Sequence, residues 1–265
     1  MTRSKILSSN IGDDRLYMMR KFYDFAEAGA DVEWFEVTTN SGTIVLSSGG
    51  GGTGALRLTT GDTDDSVAQI GSHMAWAMYD YDRVVEFAAR VCVTNTDDNK
   101  HAVACGLGYN FSANIWETGG YLDYSGKELA VFLKKADDTN WWCVTASNNG
   151  GAWTETRSNL GVGSQYNERC SGAETLRVVL LKERGDITRV RYYHDPAGFG
   201  AFEPVLDEFN KPIVHIRDES AGLTSQKMGL SINNTSAANQ RVWVDWWALN
   251  ATRGEIDPEP PSVWP

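Results

Sequence analysis

The sequence is poor in cysteine, proline and basic residues, and it contains no long hydrophobic run. Its 265 residues include 4 cysteines and 7 prolines. No stretch approaches the ~20 consecutive apolar residues that a transmembrane helix needs, and the N-terminal residues lack the apolar centre of a signal peptide. These absences predict a soluble chain that is made in the cytoplasm and has no membrane partner.

The few cysteines are not arranged as a scaffold. Cys92, Cys105, Cys143 and Cys170 show no Cys-x-x-Cys spacing, and three of them lie inside apolar runs. A free thiol in such a run behaves as a small hydrophobic group. A chain of this length can also bury a full core without cross-links. We therefore expect buried thiols, with a disulfide or a metal site as the alternatives.

Basic residues are outnumbered by acidic ones. The chain has 24 Lys and Arg against 35 Asp and Glu, for a formal net charge of -11. A nucleic-acid-binding surface needs a basic stripe that neutralises phosphates. We predict no nucleic-acid partner, and we expect the acidic surface to favour solubility.

What the sequence does contain is a series of short segments rich in Val, Ile, Trp, Tyr and Phe, separated by Gly, Asn, Asp, Ser and Thr. This alternation is typical of an all-β protein of the sandwich or jelly-roll type. The predicted strands cover residues 33–38, 42–46, 55–60, 66–71, 83–94, 102–109, 128–134, 141–146, 175–182, 188–194, 227–232 and 240–249. They predict one sandwich domain over residues 31–250.

The two ends of the chain differ from this central region. Residues 13–28 carry apolar side chains at helical intervals, but an extended arm explains them equally well, so residues 1–30 are predicted as an arm or a short helix. Residues 251–265 form a proline-rich tail, which is typical of an extended segment that does not fold by itself. Within this tail, Val263 and Trp264 are candidate anchors for a partner.

The strand before the tail, Arg241-Val-Trp-Val-Asp-Trp-Trp-Ala-Leu249, is apolar on both faces. Strict alternation places Val242, Val244, Trp246 and Ala248 on one face, and Trp243, Asp245, Trp247 and Leu249 on the other. A strand that is covered on both sides belongs in the middle of a layered β structure. Asp245 is its one charged side chain, which predicts either a partner within the core or a place in a groove.

Several short motifs follow one another over residues 33–249. They are Gly54-Ala-Leu-Arg-Leu-Thr-Thr, Glu86-Phe-Ala-Ala-Arg-Val, Cys105-Gly-Leu-Gly, Thr175-Leu-Arg-Val-Val-Leu, Val190-Arg-Tyr-Tyr-His-Asp, Met228-Gly-Leu-Ser-Ile and Val242-Trp-Val-Asp-Trp. Their order resembles the concanavalin A-like lectin/glucanase sandwich, in the variant found in structural proteins of tailed bacteriophages. The resemblance implies a concanavalin A-like jelly roll of two antiparallel sheets.

The resemblance to phage structural proteins implies a structural role, and the lack of a suitable carboxylate pair predicts no catalysis. A structural or decoration protein on the capsid or tail of a phage would be located in the virion, contact other virion proteins and assemble as a homo-oligomer, because virion components repeat by symmetry. The ends of the chain would then provide the attachment to the particle.

The alternative function is a carbohydrate-binding module or a lectin that recognises cell-surface glycans. Aromatic residues cluster in the middle third of the chain, near Asn148, and aromatic faces beside amide groups suit a sugar ring. The candidate binding residues are Trp116, Tyr121, Trp141, Trp142 and Asn148, and Trp153 belongs to the same cluster. Neighbours on a strand point to opposite faces, so at most one of Trp141 and Trp142 lines a groove.

A polysaccharide-degrading enzyme is the third hypothesis and the weakest. Glycoside hydrolysis needs two carboxylates facing one bond, which the resembling glucanases carry at alternate positions of one strand. Glu33 and Glu36 are three residues apart and would face opposite sides. The four histidines accompany no nucleophile elbow and are expected at strand edges or on the surface.

No cofactor is predicted, with calcium as a weaker hypothesis. The segments Asp62-Thr-Asp-Asp65 and Asn95-Thr-Asp-Asp-Asn99 each offer several oxygen ligands, which calcium prefers. Neither has the full spacing of an EF-hand loop, and both are typical of solvated turns.

Overall fold

The fold is described from a computed structural model. It describes residues 17–24, 34–46, 55–73, 75–77, 84–93, 100–109, 111, 113–124, 128–147, 153–162, 173–183, 186–196, 201–218 and 225–252. Over these residues the secondary structure consists of strands and turns, with no helix. No helix in this part of the chain is therefore long and apolar enough to cross a membrane.

Nineteen strands lie in the described residues, and twelve of them match the twelve predicted from the sequence. They are β1 (Tyr17–Asp24), β2 (Trp34–Thr38), β3 (Thr43–Leu46), β4 (Leu56–Thr59), β5 (Val67–Ser72), β6 (Trp76–Ala77), β7 (Val84–Val93), β8 (His101–Gly108), β9 (Trp116–Glu117), β10 (Tyr121–Leu122), β11 (Leu129–Lys134), β12 (Asn140–Ala146), β13 (Trp153–Gly161), β14 (Glu174–Lys182), β15 (Ile187–Asp195), β16 (Glu203–Pro204), β17 (Val214–Asp218), β18 (Ser225–Asn234) and β19 (Arg241–Thr252).

Two large antiparallel sheets form the molecule, as the resemblance implied. Sheet A has the order β16-β15-β14-β7-β19-β4-β3, with β1 paired to β19 and β17 paired to β15. Sheet B has the order β13-β12-β11-β8-β18-β5-β2, with β6 paired to β18, and β9 and β10 form a separate hairpin. Strands that follow one another in the chain often lie in different sheets, which is the arrangement of a jelly-roll sandwich.

The main core lies between the two sheets. Each strand contributes alternate side chains to it, because successive side chains of a strand point to opposite faces. Phe87 of β7, Phe132 of β11 and Tyr192 of β15 are fully or almost fully buried there, and the ring of Phe132 meets that of Tyr192 edge-on at 5.3 Å. A second apolar cluster covers the outer face of sheet B, and this cluster positions the candidate site.

Strand β19 is central, as predicted, but its predicted faces are wrong beyond Val244. The pairing with β7 shifts between Val244 and Trp246, so that Asp245 is an extra residue in a β-bulge. A bulge moves every later side chain to the other face. Val242 and Val244 share the main core with Trp247, Leu249 and Ala251, whereas Trp246 and Ala248 lie on the outer face of sheet A.

The bulged Asp245 forms an ion pair. Its Oδ2 accepts a hydrogen bond from Nη1 of Arg90 at 2.8 Å, and Arg90 stands opposite Trp246 on β7. The carboxylate is largely buried on the outer face of sheet A. Asp245 therefore has a structural partner, and its role is in holding the bulge.

The helical alternative for residues 13–28 is wrong over the part that the structure describes. Strand β4 pairs with β19 only as far as Val244, and β1 pairs with the remainder of that edge, from Trp246 to Thr252. The unpaired edge of β19 thus explains why Tyr17–Asp24 is extended. Part of the predicted N-terminal arm belongs to sheet A, and β19 continues past the predicted domain end at residue 250.

The predicted strands include neither the edge strands β13 and β17 nor the two-residue strands β6, β9, β10 and β16. Most side chains of β13 are exposed or half-buried, so it lacks the apolar run by which other strands were recognised. Two histidines were also misplaced. His101 of β8 and His215 of β17 are buried, not superficial, and both ring nitrogens of His215 contact threonine hydroxyls.

The described cysteines follow the prediction. Cys92, Cys105 and Cys143 are buried and form no disulfide. Burial raises the pKa of both Cys105 and Cys143, so these groups stay protonated. Cys170 lies outside the described residues.

Candidate functional site

The outer face of sheet B carries a covering layer. Residues 113–124 together with Phe111, here called the cover segment, cross this face and bury Phe111, Ile115 and Leu122 against it. Trp116 fixes the layer, because its Nε1 donates a 2.7 Å hydrogen bond to Oγ of Ser231 on β18. These contacts attach the cover segment to the outer face of sheet B.

Glycine on β18 makes room for the cover segment. A Cβ added to Gly229 would lie 2.1 Å from Cδ1 of Phe111, so the Phe111 ring occupies the space that a side chain would take. The turn of the cover segment also needs glycine, since Gly119 and Gly120 have φ of +83° and +75°. The N–H of Gly119 donates to Oδ1 of Asp65 at 2.8 Å.

A cleft of about 560 Å³ opens where the cover segment ends. It lies between the cover segment, the turn after β11 and the edge strand β13. Its floor is apolar, with aromatic walls and charged rims. The floor includes Leu122 and Leu133, the walls Tyr121, Tyr124 and Trp153, and the rims Lys100, Lys135, Asp137 and Glu155.

One wall of the cleft is an aromatic stack. The rings of Tyr124 and Trp153 are 4.7 Å apart and within 4° of parallel. Trp153 is 54% exposed, so much of its surface is open to a ligand. The Tyr124 hydroxyl donates a short hydrogen bond to Oε1 of Glu155. Burial, that hydrogen bond and the charges of Glu155 and Glu117 raise the pKa of Tyr124, which keeps its hydroxyl neutral.

Behind this wall a chain of polar contacts runs across sheet B. Nζ of Lys135 donates to Oε2 of Glu155 at 2.6 Å and lies 3.8 Å from the centre of the Trp142 ring. Nε1 of Trp142 donates to Oδ2 of Asp138 at 2.8 Å. Burial would raise the pKa of Asp138, but hydrogen bonds from Trp142 and Asn140 and the charge of Arg157 outweigh it and lower that pKa.

The opposite rim is a second ion pair. Nζ of Lys100 lies 2.6 Å from Oδ1 and 2.7 Å from Oδ2 of Asp137. Asp137 has a φ of 63°, in a turn where an aspartate or asparagine tolerates the left-handed conformation. Thr235 joins this rim to β18, since its N–H and Oγ1 both donate to the carbonyl of Lys100.

The structure separates the candidate sugar-binding residues that the sequence grouped. Tyr121 lines the cleft and is 68% exposed. Trp142 does not line the cleft, and its ring is covered by Nζ of Lys135. Trp116 is buried in the covering layer, and Trp141 lies in the main core, where its Nε1 donates to Oε1 of Glu174 at 2.9 Å. Neither Trp116 nor Trp141 presents a face to a ligand.

Three predicted residues lie outside the described residues: Asn148, Val263 and Trp264. Tyr124, Lys135 and Glu155 are cleft residues that were not predicted from the sequence. Trp153 and Glu155 alternate on one face of β13, but no apolar run marks β13 as a strand. Their contacts with Tyr124 and Lys135 depend on strand pairing, which local sequence does not specify.

Comparisons with solved structures define the class of fold. Lectin II from Ulex europaeus superposes with a TM-score of 0.57 at 10% identity, over 90% of this chain and 100% of that one. The exoplasmic/lumenal domain of VIP36, in a form bound to Ca²⁺ and Man3GlcNAc, gives a TM-score of 0.53 at 14% identity, over 87% of each chain.

A protein of unknown function from Shewanella oneidensis MR-1 covers most of the chain as well, with a TM-score of 0.54 at 14% identity over 97% of this chain and 98% of that one. No protein-family profile matches the sequence, and no curated protein matches it either. Identities this low show the fold alone: the chain is a lectin-like, concanavalin A-like β-sandwich.

The calcium hypothesis stays a prediction, and its first segment takes part in turn contacts. In the turn from Asp62 to Asp65, Oδ1 of Asp64 accepts the N–H of Asp65 at 3.1 Å, and Oδ1 of Asp65 accepts the N–H of Gly119. Among the described residues no group of three or more His, Cys, Asp or Glu is placed to hold a metal ion. The second predicted segment, Asn95 to Asn99, lies outside them.

Proposed function

We propose that this protein binds glycans through the cleft at the end of the cover segment. The observation that carries the proposal is the open face of Trp153, stacked on Tyr124 and bordered by charged and hydroxyl groups. A sugar ring offers an apolar face to an aromatic surface and hydroxyls to polar groups around it. The fold supports the proposal by analogy, since the lectin from Ulex europaeus and the VIP36 domain share it.

The cleft is also the right size. Small-molecule sites have volumes of roughly 300 to 1,000 Å³, and the cleft measures about 560 Å³. Its walls are held in place before a ligand arrives, because Glu155 fixes the Tyr124 hydroxyl and Lys135 fixes Glu155. Such preorganisation lowers the entropic cost of binding.

The test is glycan binding by Trp153→Ala. Removing the platform should weaken binding about tenfold or more, which is the usual cost of truncating an aromatic anchor. The matched control is Phe209→Ala, because Phe209 is 74% exposed but does not line the cleft. A glycan array followed by calorimetry measures both variants. Equal binding by wild type and Trp153→Ala would refute the proposal.

We further propose that binding occurs without hydrolysis. Both oxygens of Glu155 are engaged, by Tyr124 and by Lys135, and both oxygens of Asp137 face Lys100. A hydrolase of this type needs one carboxyl free to protonate the leaving group and a second facing the same bond. Incubation with bound glycans should leave them intact, and turnover that Glu155→Gln abolishes would contradict this.

The narrower role of a virion decoration protein remains a prediction. It rests on the resemblance of the sequence motifs and on symmetric assembly of virion components. The proposed partners are other virion proteins, further copies of this chain and cell-surface glycans, and the proposed location is the virion. Co-purification of the chain with assembled phage particles tests this role, while its absence from particles would remove it and leave glycan binding standing.

A further inference from the structure

We propose that the cleft selects neutral saccharides and discriminates against acidic ones, such as uronate-containing, sialylated or sulfated glycans. This inference rests on the proposed glycan binding and names the class of ligand for the same cleft. It comes from the way in which the charged groups of the cleft are paired, which the lectin-like fold does not dictate.

The charges of the cleft compensate one another. Its lining contains two lysines and two carboxylates, and each lysine contacts one carboxylate. Lys100 pairs with Asp137 at 2.6 Å, and Lys135 pairs with Glu155 at 2.6 Å. The formal charge of the lining is therefore zero, and no excess of cations is present to attract an anionic ligand.

Each lysine is also in direct contact with its carboxylate. Nζ of Lys135 contacts both Glu155 and the Trp142 ring, so an acidic group that approached it would compete with the Glu155 carboxylate. On the other rim Nζ of Lys100 faces both oxygens of Asp137. An acidic sugar that approached either lysine would also come close to Asp137 or Glu155, and the repulsion between like charges would offset the attraction of the lysine.

Neutral sugars face no such penalty. The apolar floor and the aromatic wall match the carbon-bound face of a ring, and the carboxylates can accept further hydrogen bonds from hydroxyl groups. The whole chain adds to the selection, because its net charge of -11 repels polyanions before they reach the cleft.

The experiment compares a neutral oligosaccharide from the array with acidic analogues of the same backbone. Wild-type protein should bind the neutral member at least about tenfold more tightly than the acidic ones. The affinity for the neutral oligosaccharide should change little between low and high salt, because an uncharged ligand has no charge that salt could screen.

The decisive variant is Asp137→Asn, which leaves Lys100 without its carboxylate. Asparagine tolerates the φ of 63° at this position, so the turn is preserved. In this variant the ratio of neutral to acidic affinity should fall about tenfold. The fall should be smaller at high salt, because salt screens the attraction of Lys100 for an acidic ligand. Glu203→Gln is the matched control: it makes the same change in net charge at an exposed position of β16 in sheet A.

Each outcome is informative. A wild-type protein that binds acidic analogues as tightly as neutral ones overturns the inference and leaves the proposed function intact. An unchanged preference in Asp137→Asn, or an equal shift in Glu203→Gln, also overturns it, because the paired charges of the cleft would then not set the selection. Failure to bind any glycan removes the proposed function and this inference together.

Discussion

At the scale of single residues, His215 is a buried side chain whose two ring nitrogens both have hydrogen-bond partners. Its Nδ1 lies 2.9 Å from Oγ1 of Thr145 and its Nε2 lies 2.8 Å from Oγ1 of Thr156. A hydroxyl can donate or accept, so the neutral imidazole is satisfied at both nitrogens. Burial lowers the pKa of His215 from 6.5 to about 4.

This lowered pKa makes stability depend on pH. The unfolded chain takes up a proton near pH 6.5 and the folded chain only near pH 4, so protons favour unfolding between these values. His215 contributes fully to the unfolding free energy above about pH 6.5. As the pH falls to about 4, this residue lowers the unfolding free energy by about 3 kcal/mol. His215→Gln should therefore lose less stability than wild type between pH 7.5 and 4.5, measured by urea unfolding.

Thr156→Val provides the control for this experiment. It removes the partner of Nε2 but keeps the titrating ring, so it should lower stability at pH 7.5 and retain the wild-type loss towards pH 4.5. Parallel stability curves for His215→Gln and wild type would show that burial of this ring does not control the acid response.

At the scale of the elements, the cover segment links the stability of sheet B to the shape of the cleft. Phe111 anchors it against Gly229, and Tyr121, Leu122 and Tyr124 then line the cleft. The hydrogen bond from Gly119 to Asp65 holds the intervening turn. A displacement of Phe111 should therefore also move Tyr121, Leu122 and Tyr124 in the cleft.

Gly229→Ala tests this link. The added methyl group would collide with the Phe111 ring, since the new Cβ would lie 2.1 Å from it. We expect a loss of about 1–3 kcal/mol in unfolding free energy, typical of overpacking, together with weaker glycan binding. In the control Gly161→Ala the new Cβ meets only the carbonyl of Thr139, at 3.8 Å. Identical urea midpoints for the two variants would contradict this account.

The β-bulge of β19 is the other element that shapes the molecule. It allows one long strand to place Val242 and Val244 in the main core and, beyond Asp245, Trp247 in the same core. Without the extra residue, Trp247 would face outward and Trp246 inward. The ion pair between Asp245 and Arg90 occupies the position where the ladder is interrupted.

At the scale of the whole molecule, two sheets enclose a core that needs no cross-link. Cys92, Cys105 and Cys143 are buried and form no disulfide. In a Cys170→Ser variant, a thiol reagent should label none of these three in the native protein and all three in denaturant. The rate of labelling should follow global unfolding as measured by circular dichroism. Fast labelling under native conditions would mean that the sandwich opens locally at one of these strands.

The sequence predicted the sandwich well because strand formation is encoded locally. Runs such as 84–93 and 101–108 carry β-branched and apolar residues that fit a pleated, covered surface, and their bounds agree with the prediction within one or two residues. Edge strand β13 was missed because its exposed face removes that signal. The direction of the Trp246 side chain was missed because a bulge leaves no mark in a pattern of alternation.

The sequence by itself determined the all-β class, the positions of the central strands, the buried thiols and the acidic surface, all of which follow from composition and short-range periodicity. Only the tertiary structure decided where the cleft lies. It brings Tyr124 to Trp153, Lys135 to Glu155 and Lys100 to Asp137. These partners are 20 to 37 residues apart. Contacts of that separation depend on strand order and register, which local patterns do not specify.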